Sequence, residues 1–80
     1  MENNIKDLLI SIVKVLIDNP DRIEINELHS EQSLIFELKV DNADLGKVIG
    51  RGGRTAQAIR TILESACGKL KKRCILEILE

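Results

Sequence analysis

Ile5, Leu8, Leu9, Ile12, Val13, Leu16 and Ile17 recur at i, i+3, i+4, i+7 and i+8. That spacing lines one face of a 3.6-residue turn and predicts an amphipathic helix. Asn4, with Asp7 three residues on, is the expected N-cap. Asp18-Asn19-Pro20 ends the helix, because proline cannot continue it and disfavours the helical region for Asn19. The period then changes to two. Ile23 and Ile25 alternate with Arg22, Glu24 and Asn26 as a short half-buried strand, and Leu28 breaks the alternation, predicting a bulge or strand end near Glu27. The polar run from His29 to Ser33 predicts a turn, with His29 exposed in it. Leu34, Phe36, Leu38 and Val40 alternate with Ile35, Glu37 and Lys39, a second strand that closes a hairpin with the first.

Helical spacing returns at Leu45, Val48 and Ile49, a helix of barely two turns with Asp41-Asn42 as its N-cap. Gly50-Arg51-Gly52-Gly53 interrupts it. Beyond the glycines Ala56, Ile59, Ile62, Leu63, Ala66, Cys67 and Leu70 form the stripe of a longer helix, with Gly68 expected in the C-cap role. Cys74 to Leu79 predicts a last strand with Cys74, Leu76 and Ile78 on one face. The order is αββααβ. A parallel pair needs a crossover, and the helix pair between the second and third strands supplies one. The expected architecture is therefore α+β: a three-stranded mixed sheet in the order 1-2-3, strands 2 and 3 parallel, with the helices on one face.

Eighty residues predict one domain with a small core, since a chain of this size buries only about 60% of the surface it exposes unfolded. Phe36 is the sole aromatic residue, which weakens any mode of recognition that stacks bases on an aromatic platform. The run from Leu8 to Val13 falls far short of the ~20 apolar residues of a membrane span, and no charged leader with a small-residue cleavage site is evident. A cytoplasmic protein without membrane association is expected. Cys67 and Cys74, with the single His29 distant in sequence, fit neither a paired zinc signature nor a disulfide framework, so buried, inert thiols and no metal are expected.

The net charge of −1 conceals an asymmetry. Residues 1–44 hold four Lys/Arg against ten Asp/Glu, or −6, whereas residues 45–73 hold eight against the single Glu64, or +7. A ligand within a Debye length, about 8 to 10 Å, feels the local patch rather than the sum. The basic half is also the half with the glycines. Gly50 and Gly53 bracket two residues at a helix-to-helix joint, where the absence of Cβ permits positive φ and close approach of a ligand backbone. The longer helix begins there, and its unpaired N–H groups favour an anion, with Arg51 and Arg54 adding charge. A Walker A loop is excluded because no Lys-Ser or Lys-Thr pair exists, and a dinucleotide fingerprint fails because Thr55 stands where its last glycine belongs.

VIGRGGRTAQAI, Val48 to Ile59, resembles the VIGxxGxxxxxI core of KH domains, and αββααβ is the type II KH order, so the resemblance covers almost the whole chain as a single KH domain over residues 1–80. The chain's size, with GRT before AQAIRTIL, is further similar to the small bacterial single-KH RNA-binding proteins of the KhpA family. The resemblance implies single-stranded RNA as the ligand, its backbone clamped over about four nucleotides, and an RNA chaperone or post-transcriptional regulator without a cofactor. Single-stranded DNA is a second possible ligand, since no residue is assignable to a 2′-OH. By the same resemblance Gly50, Arg51, Gly52 and Gly53 form the clamp, Lys47 and Arg54 flank it, and Val48, Ile49 and Ile59 help form the apolar floor of a groove. Lys71, Lys72 and Arg73, with Lys69, give the groove a second basic wall, and a homodimer or a heterodimer with a larger KhpB-like KH protein is implied.

Several residues have a second reading. The periodicity of Val48, Ile49 and Ile59 serves a core as well as a groove, and Lys69 to Arg73 also suit a solvated helix end. Catalysis is not expected, because the only histidine lies in the hairpin and Ser11, Ser30, Ser33 and Ser65 have no evident base. The rival to RNA binding is an assembly module, a KH fold with little nucleic-acid affinity that uses its helical face. The apolar width of the long helix, Ala58 included, offers such a surface.

Overall fold

The computed structural model describes residues 2–80, with side chains from Asn4 onward. Its elements are α1 (Glu2–Leu16), β1 (Glu24–His29), β2 (Ser33–Lys39), α2 (Leu45–Ile49), α3 (Arg54–Cys67) and β3 (Arg73–Ile78), with single 3-10 turns at Pro20–Arg22, Asn42–Asp44, Arg51–Gly53 and Gly68–Leu70. The sheet order is β1-β2-β3, β1 antiparallel to β2 and β2 parallel to β3. This is the expected α+β arrangement. Its core is built from alternate residues: Leu34, Phe36 and Leu38 of the central strand are buried against Leu9 and Val13 of α1 and Ile59 and Leu63 of α3. The residues between them, Ile35 and Glu37, belong to the opposite sheet face.

The chain departs from local expectation at four places. First, α1 starts at Glu2, ahead of Asn4, because each added helical residue gains a backbone hydrogen bond once the helix is nucleated. Second, β1 has no bulge. Its register runs unbroken from Glu24↔Lys39 to His29↔Leu34, so the pleat is kept and Leu28 is left 45% exposed. Glu27, opposite inward-facing Phe36, is met by Lys6 of α1 at 3.9 Å and by His29 at 3.0 Å. His29 accordingly ends the strand and has a partner.

Third, Gly68 is right-handed (φ −55°) and the reversal falls on Lys71, φ 55°. The last turn tightens to 3-10 and Lys71 N–H donates to the Gly68 carbonyl at 3.3 Å, a left-handed lysine that costs roughly 1–2 kcal/mol. Fourth, Cys67 and Cys74 are not independent thiols. The structure joins them as a disulfide with a Cα–Cα distance of 6.0 Å, because the short connection returns the chain from the end of α3 to the start of β3.

α2 is positioned by one carboxylate. Asp41 caps the turn before it, accepting from Ala43 N–H at 2.9 Å. Asp44, fully buried, then accepts from Asp18 N–H at 3.2 Å, Asn19 N–H at 2.9 Å, Asn19 Nδ2 at 3.1 Å and Lys47 Nζ at 3.3 Å. Burial alone pushes this carboxyl up, but the hydrogen bonds from Asp18, Asn19 and Lys47 outweigh it and hold the group below the ordinary carboxylate value. A depressed folded value stabilises the fold above the unfolded pKa of about 3.9 and loses that contribution as pH falls through the folded value. Urea midpoints should therefore fall below about pH 4, and Asp44→Asn should lower the midpoint at neutral pH while flattening this acid-side dependence. Equal acid slopes for the two proteins would remove Asp44 from the role.

Candidate nucleic-acid interface

The glycine loop owes its shape to three positive φ angles: Gly50 at 77°, Gly52 at 65° and Gly53 at 77°. Gly50 N–H closes α2 on the Gly46 carbonyl at 2.8 Å, and Gly53 N–H returns to the Gly50 carbonyl at 3.1 Å. A Cβ on Gly50 would lie 2.2 Å from Thr55 Oγ1 and 2.9 Å from Thr55 N, whereas one on Gly52 or Gly53 would meet nothing within 4 Å. Gly50 is thus required by packing against the first turn of α3 as well as by φ. Gly52 is exposed between exposed Arg51 and Arg54. Among the described residues, neither arginine has an ion-pair partner.

Lys47 is differently placed. Its ammonium is paired with both Asp18 and Asp44. The hydrogen bond to Asp18 raises its pKa, desolvation opposes this, and Asp44 adds to the rise. Its charge is therefore balanced by two carboxylates within the joint. Val48 and Ile59 are 0% and 2% exposed and belong to the core. Both face inward on their helices, while Ile49 remains half-buried.

Between α3 and the open edge of β3 runs a cleft of about 480 Å³, with Arg60 and Glu64 on one side and residues 72–76 on the other. Lys72 and Arg73 are in its lining, so the basic connection and α3 share a wall. Lys71 is exposed at the reversal outside that lining, and Lys69 faces another cleft between α1 and α3. Arg60 lies six residues beyond Arg54, about 9 Å along the helix axis. It is half-buried, and its Nε donates to the Leu76 carbonyl at 3.3 Å. Sequence reading missed Arg60, Glu64 and Leu76 as site residues. The i, i+4 spacing of Arg60 and Glu64 places both on one helix face, but nothing local says that the face looks onto a strand edge.

The family model described as KhpA/KhpB, KH domain matches residues 6–78. A protein named RNA-binding protein KhpA from Caldanaerobacter subterraneus subsp. tengcongensis is 56% identical over 73 residues, which cover 91% of this chain and 97% of its own. Proteins of the same name from Clostridium acetobutylicum and Aquifex aeolicus are 50% and 47% identical, over 92% and 95% of this chain and 99% and 96% of theirs. No solved structure matches the chain.

The two kinds of glycine in this region separate cleanly by substitution. Gly50→Ala should destabilise by more than ~1 kcal/mol, since it adds a forbidden φ to a steric clash. Gly46→Ala, inside α2 with open space around it, should stabilise by about 0.4–1 kcal/mol. Chemical denaturation of both variants checks this, and an unperturbed Gly50→Ala would mean that the loop is not held against Thr55.

Proposed function

The chain belongs to the KhpA/KhpB KH-domain family, and from that membership we propose that it binds single-stranded RNA without catalysing a reaction, as a chaperone or post-transcriptional regulator. The observation that carries this reading is the pair of unpaired cations, Arg51 and Arg54, on a loop whose open Gly52 lets a sugar-phosphate backbone lie against its N–H groups. The same loop opens α3, whose first-turn N–H groups favour phosphate. Arg51, Arg54, Gly50, Gly52 and Gly53 hold the backbone. Lys72 and Arg73, with Lys71 at the reversal, form the second basic wall across the cleft, and bases lie between. Glu64 in that cleft disfavours phosphate there, which keeps the backbone on the basic rims. Single-stranded DNA offers the same phosphates and is the second candidate ligand. No described helix is long and apolar enough to cross a membrane, and a cytoplasmic location suits an RNA ligand.

A self-association, or a pairing with a larger KhpB-like protein, is the second part of the proposal. The long helix divides its apolar stripe: Ala56, Ile59, Leu63 and Cys67 are buried, whereas Ile62 is 46% exposed and Leu8 of α1 is 36% exposed. The exposed remainder, next to the cleft lined by Ile5, Leu8, Ala66 and Leu70, suits a helical-face interface that leaves the clamp open. Two linked sites raise avidity by effective concentration, which a domain gripping about four nucleotides needs.

Arg51→Asp with Gly52→Asp should abolish binding to a short single-stranded RNA in filter titration and leave the circular dichroism unchanged. The wild-type log K should fall against log salt by about 0.7 per neutralised phosphate. Retained affinity in the double variant would reject the clamp. Sedimentation equilibrium across the micromolar range should show mass above the monomer, lost in Ile62→Asp; a monomer throughout, with no change on adding a KhpB-like partner, would reject the interface.

A further inference from the structure

The bond between Cys67 and Cys74 closes the segment Gly68 to Arg73, which carries Lys69, Lys71, Lys72 and Arg73. One end is the last residue of α3 and is fully buried. The other lies at the start of β3, is 8% exposed and belongs to the lining of the cleft. Both ends of the second basic wall are therefore tied by one covalent bond. Within the segment Lys71 holds a left-handed conformation, which a side-chain-bearing residue keeps only where its surroundings impose it.

Breaking the bond cannot leave this region unchanged. A disulfide holds its sulfur atoms nearer than any unbonded pair, and the interior around Cys67 is closed to solvent and close-packed. Two thiols in the same place have to separate, which moves the last turn of α3 away from the first residues of β3. Those two elements are the walls of the cleft. Lys71 then has a route out of its left-handed conformation, and Lys72 and Arg73 lose a fixed spacing from Arg60.

The two sulfurs also differ in access. Cys67 is sealed, whereas Cys74 borders a cleft lined by Arg60, Lys72 and Arg73 against the carboxylate of Glu64. A small anionic disulfide is drawn to that excess of positive charge and meets Cys74 first. The Cys74 thiolate attacks one sulfur of R–S–S–R and expels R–S⁻; the Cys67 thiolate then attacks the Cys74 sulfur of the mixed disulfide and expels the second R–S⁻. The two cysteine protons end on two R–SH molecules, and the two electrons lost by the cysteines reduce the small disulfide. Reduction runs the same steps backward and again opens at Cys74.

We infer that Cys67 and Cys74 are a reversible thiol–disulfide couple, entered through Cys74 from the cleft, whose bridged state sets the basic wall of the nucleic-acid site. In the cytoplasm proposed for this protein a disulfide is transient, so a bridge there reports oxidation instead of serving as a permanent staple. The control of the wall rests on the proposed RNA-binding role; the couple itself does not. The bridged state holds the wall in advance and binds more tightly, and bound RNA favours the bridge by the same factor.

Mixtures of glutathione and its disulfide, quenched with acid and read by intact mass, should carry the wild type between the dithiol and the bridged form without denaturant. Cys67→Ala exposed to glutathione disulfide should accumulate one adduct at Cys74, and Cys74→Ala should stay unmodified. If either variant does not fold by circular dichroism, the reduced wild type carries the test, with iodoacetamide alkylating Cys74 before Cys67 in peptide mass maps. A labelled heptauridine RNA, followed by fluorescence anisotropy, should bind the bridged protein about two- to fivefold more tightly than the dithiol form, the scale of fixing one loop residue in advance. Saturating RNA should also slow reduction of the bridge. A bridge that glutathione neither forms nor breaks, or a faster reaction at Cys67, overturns the couple. Equal RNA affinities in the two states, with binding lost in the Arg51→Asp, Gly52→Asp protein, overturn the control of the wall and leave the clamp standing. No binding in either state overturns the RNA-binding role and the control of the wall together, while the order of modification decides the couple independently.

Discussion

The buried carboxylate of Asp44 is the constraint on which the rest of the site depends. α2 has only five residues, too few to hold a helix by its own hydrogen bonds, and its far end is the first glycine of the loop. Its position has to be imposed from outside. Asp44 imposes it by accepting from the chain just after α1 and from Lys47 within α2, while Val48 anchors the other side in the core. A buried charge is tolerated when its lone pairs are filled, and here they are filled by groups that would otherwise lack partners where the chain turns towards Pro20. One residue thereby ties the exit of the first helix to the entry of the loop.

The same joint separates the basic residues by pairing. Lys47 is the cation closest in sequence to the loop on the α2 side, yet its charge is consumed by Asp18 and Asp44. Arg51 and Arg54 remain available, and their exposure next to three left-handed glycines gives an anion both charge and room. A formal charge near zero is compatible with this because the acidic residues belong mostly to the first half of the chain, and screening makes the local patch the relevant quantity.

A domain with one buried aromatic residue must discriminate bases by other means than stacking. The open edge of β3 carries backbone groups in a fixed spacing, and Arg60 of the facing helix donates to one of them, the Leu76 carbonyl. In the proposed reading, pairing through the exposed apolar positions on α1 and α3 would add a second site and avidity that one cleft by itself does not supply.

Six elements, their order and the sheet topology were legible because periodicity of 2 or 3.6 and the turn residues at Pro20, Asp41 and the glycines are encoded within a few neighbouring positions. The glycine loop and its positive φ angles were legible for the same reason, since positive φ is a property of single residues. Periodicity marks a face but not what covers it, so Val48 and Ile59 read equally as groove and as core, and packing alone chose core. Leu28, Gly68 and the Cys67–Cys74 pair were misjudged because strand register, the tightening of the last turn of α3 and the return of the chain to β3 are set by contacts distant in sequence. The tertiary structure likewise decided that Lys47 is neutralised by residues from another element and that Arg60 reaches the Leu76 carbonyl. A charge or an edge acquires its function from its partner, and the partner is fixed only when the helices settle on the sheet.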